Sequence, residues 1–241
     1  MCIFNQREVF SQTPVGGNIA THPIYAGFDN KMKTIKQLLK LADQGDIESK
    51  FELGYRLAFG KKTFKNPPWK EIFKYWKPAA ESGHLRAMFY VGVCYDRGYG
   101  IKKNIPLAFD WYLKAAKLGH RDSQYNIGYF YDTGELVRKN YTKKIYWYSL
   151  AAKAGLTDAQ RDLGYSYFMG EGVKKDNLKA VYWYKKAATL NDNKALYNLG
   201  LCYRHGDGVK QSNRWAKFYF SKAIKFGHKE AKGQLKSLVS N

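Results

Sequence analysis

The chain has 241 residues, 45% of them hydrophobic, which is enough apolar material for a packed core and excludes a disordered chain. Lys and Arg number 41 against 20 Asp and Glu, and the formal net charge of +21 predicts attraction to something anionic: nucleic acid, an anionic membrane surface or an acidic protein. Three cysteines without metal-ligand spacing argue against a disulfide framework, and no apolar run is long enough for a transmembrane helix.

Residues 1–30 show no helical period, and we expect them to lie extended on the rest of the chain or to be disordered. They lack the apolar stretch of a signal peptide, so the chain as given is expected in the cytoplasm. A periplasmic or secreted location follows instead if a signal peptide has been removed. In that case Cys2 is a candidate for lipidation, because a mature lipoprotein begins with an acylated cysteine.

Residues 31–47 predict one isolated helix, and a repeat of 36 residues runs through the chain after it. A small-residue pair recurs with this period, starting at Ala79, Ala115, Ala151, Ala187 and Ala223. A glycine that follows an apolar residue keeps the same period after its first step, at Gly54, Gly92, Gly128, Gly164 and Gly200. The first step is 38 residues, and the pair Pro67 and Pro68 marks the longer loop that accounts for it.

Each unit of the repeat predicts two helices. In the clearest copy, helix A covers roughly residues 159–169 and helix B roughly residues 177–190. Short polar side chains precede helix B and predict its N-caps: Asn104, Asn140, Asp176 and Ser212. Glycines predict left-handed turns after both helices, with Asn191 as the tolerated substitute: Gly83, Gly98, Gly119, Gly134, Gly155, Gly170, Gly206 and Gly227.

A helix pair of this size cannot bury its apolar side alone, whereas stacked pairs can. We therefore predict an all-α fold, an α/α superhelix in the form of a right-handed solenoid, with about five 36-residue helix-turn-helix repeats and half-repeat caps. The predicted units are a half-repeat 31–47, repeats 48–85, 86–121, 122–157, 158–193 and 194–229, and a C-terminal cap 230–241.

The stretch from Ala159 to Ala188, AQRDLGYSYFMGEGVKKDNLKAVYWYKKAA, resembles the Sel-1-like repeat family, which is related to tetratricopeptide repeats. The resemblance covers about residues 48–228. The chain departs from the family pattern at Leu57, where the family has tyrosine, and at Leu136, which replaces the second turn glycine. The family implies adaptor and scaffold roles, bacterial virulence factors, and immunity proteins that neutralise secreted toxins. The repeat itself implies no catalysis.

Helix B carries paired aromatic residues whose spacing predicts the core between helices. Ala180, Trp183 and Ala187 share one helix face, which is expected to be the packing face. Tyr184 and Ala188 are expected on its flank. This arrangement argues against a row of exposed rings for base stacking.

Helix A offers a different surface when its positions are numbered from the Leu-Gly glycine. Columns −3, +1 and +4 point away from the packed side, and in tetratricopeptide-like stacks they line the concave groove. Their many aromatic residues predict a groove for a peptide or protein. The predicted partner-binding residues are Tyr55, Phe89, Val93, Asp96, Tyr125, Tyr129, Asp132, Arg161, Tyr165, Phe168, Tyr197, Leu201 and Arg204. An alternative stays open for columns −3 and +1, which is packing inside the stack.

Basic residues on the loops between helices A and B form a predicted basic ridge: Lys102, Lys103, Arg138, Lys139, Lys174, Lys175 and Lys210. The ridge is either a solvated face or a long contact for an anionic partner. The glycine-rich loops there recur after helices and indicate turns, not a phosphate cradle. His84, His120 and His228 share one repeat position, and because neighbouring repeats in such stacks are about 10 Å apart, these histidines cannot converge on one metal.

These patterns predict a non-catalytic module that binds another protein in its groove, with no cofactor, no metal site and no catalytic residues. The basic ridge favours an acidic partner protein. A bacterial toxin-immunity protein or a virulence-associated scaffold is the most specific hypothesis, and a nucleic-acid-binding basic solenoid is the alternative. We expect a monomer or a weak oligomer.

Overall fold

A computed structural model describes residues 33–60 and 67–239, and these ranges contain twelve α-helices and no strand. The expectations for residues 1–30 and for Cys2 lie outside the described residues. The helices are α1 (Ile35–Asp43), α2 (Ile47–Phe59), α3 (Trp69–Glu81), α4 (Leu85–Arg97), α5 (Ile105–Lys117), α6 (Arg121–Thr133), α7 (Tyr141–Lys153), α8 (Thr157–Met169), α9 (Asn177–Thr189), α10 (Asn193–His205), α11 (Asn213–Lys225) and α12 (Ala231–Val239).

Each helix packs mainly against the helices directly before and after it in the chain. Helices α2, α4, α6, α8 and α10 are the A helices of five repeats, and α3, α5, α7, α9 and α11 are the B helices. The half-repeats are α1 before this stack and α12 after it. Packing mainly between neighbours is the mark of a solenoid, so the predicted all-α superhelix of helix pairs is confirmed.

The helix ends follow the predicted caps. The side chains of Asn104, Asn140 and Asp176 accept hydrogen bonds from the backbone N–H three residues later, at 3.0, 2.9 and 2.9 Å. Asn191 has a φ of 61°, so it takes the left-handed turn that glycine takes after the other B helices. The A helices are longer than expected at their start, since α8 begins at Thr157, two residues before the predicted Ala159.

The core of each repeat is an aromatic ring of helix B that lies on a glycine of helix A. In the fourth repeat, a Cβ added to Gly164 would lie 2.8 Å from a ring carbon of Tyr184, so only glycine leaves room for this ring. Tyr184 is 1% exposed and Trp183 is only half-buried. The prediction that Trp183 holds the centre of the packing face and Tyr184 its flank was therefore wrong, because the glycine notch selects the ring one position later.

The alanines of helix B allow close helix approach, as predicted, and Ala180 and Ala187 are fully buried. Cys94 and Cys202 are buried free thiols, so both act as small core residues. Burial raises the pKa of each thiol to about 12, so neither is a reactive thiolate at neutral pH.

Candidate functional site

Column −3 of helix A contacts the next repeat. The rings of Phe89 and His120 stack with centroids 4.7 Å apart, and those of Tyr197 and His228 stack at 4.2 Å. His120 is also the N-cap of α6, where its Nδ1 accepts a hydrogen bond from the Ser123 N–H at 3.3 Å. The structure therefore supports the alternative for this column, which is packing between repeats, and these rings are largely occupied inside the stack.

Arg161 occupies column −3 in the fourth repeat and is 8% exposed. Its guanidinium pairs with three carboxylates, those of Asp158 at 2.7 Å, Asp162 at 2.8 Å and Asp192 at 2.9 Å. Burial lowers the pKa of Arg161, but the three carboxylates outweigh that effect and raise the pKa above its usual value. Burial also raises the pKa of Asp158. Arg161 thus offers no surface to a partner, and its assignment to the binding surface is corrected.

Tyr125 completes this column in the third repeat. Its ring stacks on Tyr148 at 5.0 Å, and its hydroxyl donates a hydrogen bond to Asp162 at 2.7 Å. Burial raises the pKa of the Tyr125 hydroxyl well above its ordinary value. The carboxylate of Asp162 therefore joins the third repeat to the fourth through a partly buried polar contact.

Column +1 retains more surface than column −3. Tyr165 is 38% exposed, while Tyr55, Tyr129 and Leu201 are half-buried. Val93 is buried at 6%, so it packs inside the stack and its assignment to the binding surface is corrected. We call the half-buried and exposed residues on this side of helix A the A face: Tyr55, Tyr129, Tyr165, Phe168 and Leu201.

Column +4 has a mixed character. Asp132 pairs with Lys144 at 3.0 Å, and Asp96 lies 3.5 Å from Arg97. Arg204 donates to Gln234 and to the Ser237 hydroxyl, so it holds the C-terminal helix α12 to the last full repeat. Only Phe168 extends the aromatic surface of column +1, with the Lys175 Nζ 5.4 Å from its ring centre.

All seven residues of the basic ridge are exposed. In the third repeat, Arg138 and Lys139 line a surface depression together with Lys143 and the rings of Tyr131 and Tyr141. The Lys139 Nζ lies 4.8 Å from the Tyr141 ring centre. The ridge thus presents cations to solvent at one edge of the stack, beside partly exposed aromatic rings.

A third surface was missed by the sequence reasoning. Tyr146, Tyr182 and Phe218 lie 36 residues apart on α7, α9 and α11, and their side chains are 58%, 53% and 51% exposed. The signal was present in the period, because these rings precede the doublet partners Trp147, Trp183 and Tyr219. Treating each aromatic doublet as one core feature hid the fact that its neighbour points outward.

The described residues contain no group of three or more His, Cys, Asp or Glu side chains placed to hold a metal ion. No described helix is long and apolar enough to cross a membrane. The A face, the basic ridge and the exposed rings of helix B offer aromatic area, cations and hydrogen-bonding side chains at the surface. These groups suit the three surfaces to binding.

Comparison with known proteins agrees with the repeat seen in the structure. The family model described as Sel1 repeat matches residues 47–68, 73–84, 85–120, 121–156, 157–192 and 193–228. No curated protein matches the chain.

Solved structures resemble the chain over most of its length. A protective antigen of uropathogenic Escherichia coli with this repeat fold is 30% identical with a TM-score of 0.79, covering 86% of this chain and 44% of the antigen. A Sel1 repeat protein from Oxalobacter formigenes is 31% identical with a TM-score of 0.74, covering 83% and 79% of the two chains. An immunity protein from Pseudomonas aeruginosa shares the fold, at 20% identity and a TM-score of 0.50, covering 81% and 82%.

Proposed function

The chain belongs to the Sel1 repeat family, whose repeats are protein-interaction modules and generally non-catalytic scaffolds, and on that premise we propose that it binds an acidic protein across its A face. It does so as a monomer or weak oligomer. The concave side of helix A receives the partner, and the basic ridge attracts it over a longer range.

The main support for this proposal is the exposure of Tyr165. Tyr165 is 38% exposed in the fourth repeat, and the flanking repeats place half-buried Tyr129 and Leu201 in the same column. Partly exposed aromatic rings in a row are the residues that dominate binding energy at protein interfaces, since they bury large area for little loss of side-chain freedom. In these three repeats, column −3 is held by the next repeat through Tyr125, Arg161 and Tyr197.

The charge of the molecule supports an acidic partner. The net charge is +21, and the seven residues of the basic ridge all lie exposed along one edge of the stack. Such a field raises the rate of association with an acidic protein and makes that rate fall as salt increases.

Within this class, we propose that the acidic partner is a toxic effector protein and that the chain neutralises it. The support is the fold shared with the immunity protein of Pseudomonas aeruginosa, together with the basic ridge. A virulence-associated scaffold has the same binding chemistry but would leave its partner active. Loss of the partner's activity on mixing separates these two roles.

The test is quantitative capture from the native lysate with three versions of the full chain: wild type, Tyr129→Ala with Tyr165→Ala, and the matched control Tyr146→Ala with Tyr182→Ala. We expect a specific acidic protein to be captured by wild type and control and to be reduced at least about ten-fold with the A-face variant. The same protein, purified, should bind more weakly as salt rises. Equal capture by a folded A-face variant contradicts the proposal, and so does capture that disappears after nuclease treatment.

A further inference from the structure

The outer side of the last three B helices carries one exposed ring per repeat. Tyr146, Tyr182 and Phe218 are each more than half exposed. Each ring lies two residues before a ring that is at most 2% exposed, namely Tyr148, Tyr184 or Phe220. Residues two apart on a helix point in nearly opposite directions, so the buried ring fixes the helix and the exposed ring faces away from the stack. The same position holds Lys74 and Asp110 in the first two repeats.

The charge on these three helices is of one sign. Helices α7, α9 and α11 contain three, three and four Lys or Arg residues and no Asp or Glu. Lys144 is buried against Asp132 and Glu171, and Lys179 is exposed but lies 3.2 Å from the cap residue Asp176. The others are exposed or half-buried: Lys143, Lys153, Lys185, Lys186, Arg214, Lys217, Lys222 and Lys225. By contrast, α3 contains Glu71 and Glu81.

We propose that this B face, formed by Tyr146, Tyr182 and Phe218 with the surrounding lysines and the 72% exposed Leu178, docks on the surface of an anionic lipid bilayer. Amphipathic rings are favoured at the level of the lipid headgroups, where their apolar body leaves water and a hydroxyl stays wet. Lysine side chains lie along the apolar surface and extend their ammonium groups to lipid phosphates. This proposal uses the opposite side of the helix pair from the A face and does not rest on the proposed function.

Two details favour lipid over protein or nucleic acid. All but one of the cations on these helices are lysine, whereas protein interfaces are enriched in arginine and depleted of lysine. The exposed rings occur once per repeat, at least a helix diameter of about 10 Å apart, which is too far for a continuous stack of neighbouring bases. In addition, the Lys186 Nζ lies 5.7 Å from the Tyr182 ring centre, over the ring face that a base would need.

The test is cosedimentation of the full chain with vesicles of phosphatidylcholine alone and of phosphatidylcholine mixed with phosphatidylglycerol. We expect binding to the mixed vesicles only, and weaker binding as salt rises. Combining Tyr146→Ser, Tyr182→Ser and Phe218→Ser should lower the affinity at least about ten-fold, since three rings no longer leave water. Lys185→Gln with Lys186→Gln should lower it by about thirty-fold.

Matched controls carry the same changes elsewhere. Tyr165→Ser on the A face and Lys102→Gln with Lys103→Gln on the basic ridge should leave the affinity within about two-fold, and circular dichroism should show all variants folded. No binding to the mixed vesicles, or equal loss with ridge and B-face lysines, overturns the proposal. Binding of a fluorescent single-stranded oligonucleotide that is lost in the triple variant, with no vesicle binding, assigns the face to nucleic acid instead.

Discussion

Successive repeats meet where position −3 of one A helix contacts the N-cap of the next A helix, and we call this contact the joint. Two of the joints in this molecule differ in their chemistry. After the second repeat, the Phe89 ring stacks on the imidazole of His120, which also caps the next A helix. After the fourth repeat, Arg161 replaces the ring and pairs with Asp192, which caps the next A helix in the same way. In these two repeats, position −3 and the cap 31 residues later match each other, a ring with an imidazole and a guanidinium with a carboxylate.

In both versions the cap residue satisfies a backbone N–H at the start of the helix and contacts the preceding repeat. The stacked pair of Phe89 and His120 leaves no ion to desolvate at neutral pH, because burial lowers the pKa of His120 to about 4. The ionic version is stable only when its partners are all present, since an unpaired buried charge is strongly unfavourable.

The largest expected effect comes from breaking the ionic joint. Arg161→Ala should lower the free energy of unfolding by about 3 to 5 kcal/mol, because it leaves the Asp192 carboxylate, 4% exposed, without its counter-charge. Urea denaturation followed by circular dichroism measures this change. A loss below about 1 kcal/mol would show that water or Asp protonation replaces the guanidinium and that the network is not a stabilising joint.

A second test exchanges the two chemistries at one joint. Arg161→Tyr combined with Asp192→His copies the Tyr197 and His228 joint of the next repeat into the fourth. Each single change should be destabilising, and the pair should recover more than about 1 kcal/mol relative to their sum. Simple additivity of the two changes would mean that ring and imidazole are not exchangeable with guanidinium and carboxylate at this place.

The sequence was sufficient for the fold because the repeat signal is local and redundant. Alanine pairs, caps and turn glycines recur with one period, so each unit confirms the others, and Asn104 and Asn191 take the predicted cap and turn. The aromatic doublets were less informative, because period alone does not tell which ring of Trp183 and Tyr184 meets the glycine of the facing helix.

The candidate site was predicted less well for a physical reason. Helical geometry gives the direction of Val93 and Arg161, but their burial depends on the next repeat, whose distance and angle the sequence does not contain. Exposure of Tyr182 depends likewise on the absence of a neighbour. A binding surface consists of residues that do not pack against the rest of the chain, whereas a periodic pattern mainly indicates the residues that do.

The second effect concerns pH and tests the stacked joints. Burial lowers the pKa of His120 to about 4, with Asp122 opposing this shift and Arg86 and Arg121 adding to it. The unfolded chain takes up a proton near pH 6.5 and the folded chain only near 4, so the free energy of unfolding falls as pH falls through this window. Between pH 7 and 5 we expect a loss of about 2 kcal/mol from this residue. The guanidinium of Arg161 stays charged over the same range.

The control for this effect is His120→Asn, which retains a capping side chain but has no titrating group. Urea denaturation at pH 7, 6 and 5 should show a shallower decline for the variant, with about 2 kcal/mol less lost than in the wild type. Parallel declines would place the acid sensitivity elsewhere, for example at His228, whose pKa burial also lowers.

The smallest effect belongs to the joint after the third repeat, which has neither chemistry. Leu156 stands at the cap of α8 and makes no side-chain hydrogen bond to the backbone, while Tyr125 stacks on Tyr148 instead of on the cap. A hydroxyl at this position can accept from the Ala159 N–H, as the other caps accept from theirs.

Leu156→Ser and Leu156→Ala remove the same half-buried leucine, so the difference between them isolates the cap. We expect the serine variant to be more stable by about 1 kcal/mol in urea denaturation. Equal stabilities would mean that the N–H is already satisfied by solvent, and the third joint would then depend on Tyr125 and Asp162 alone.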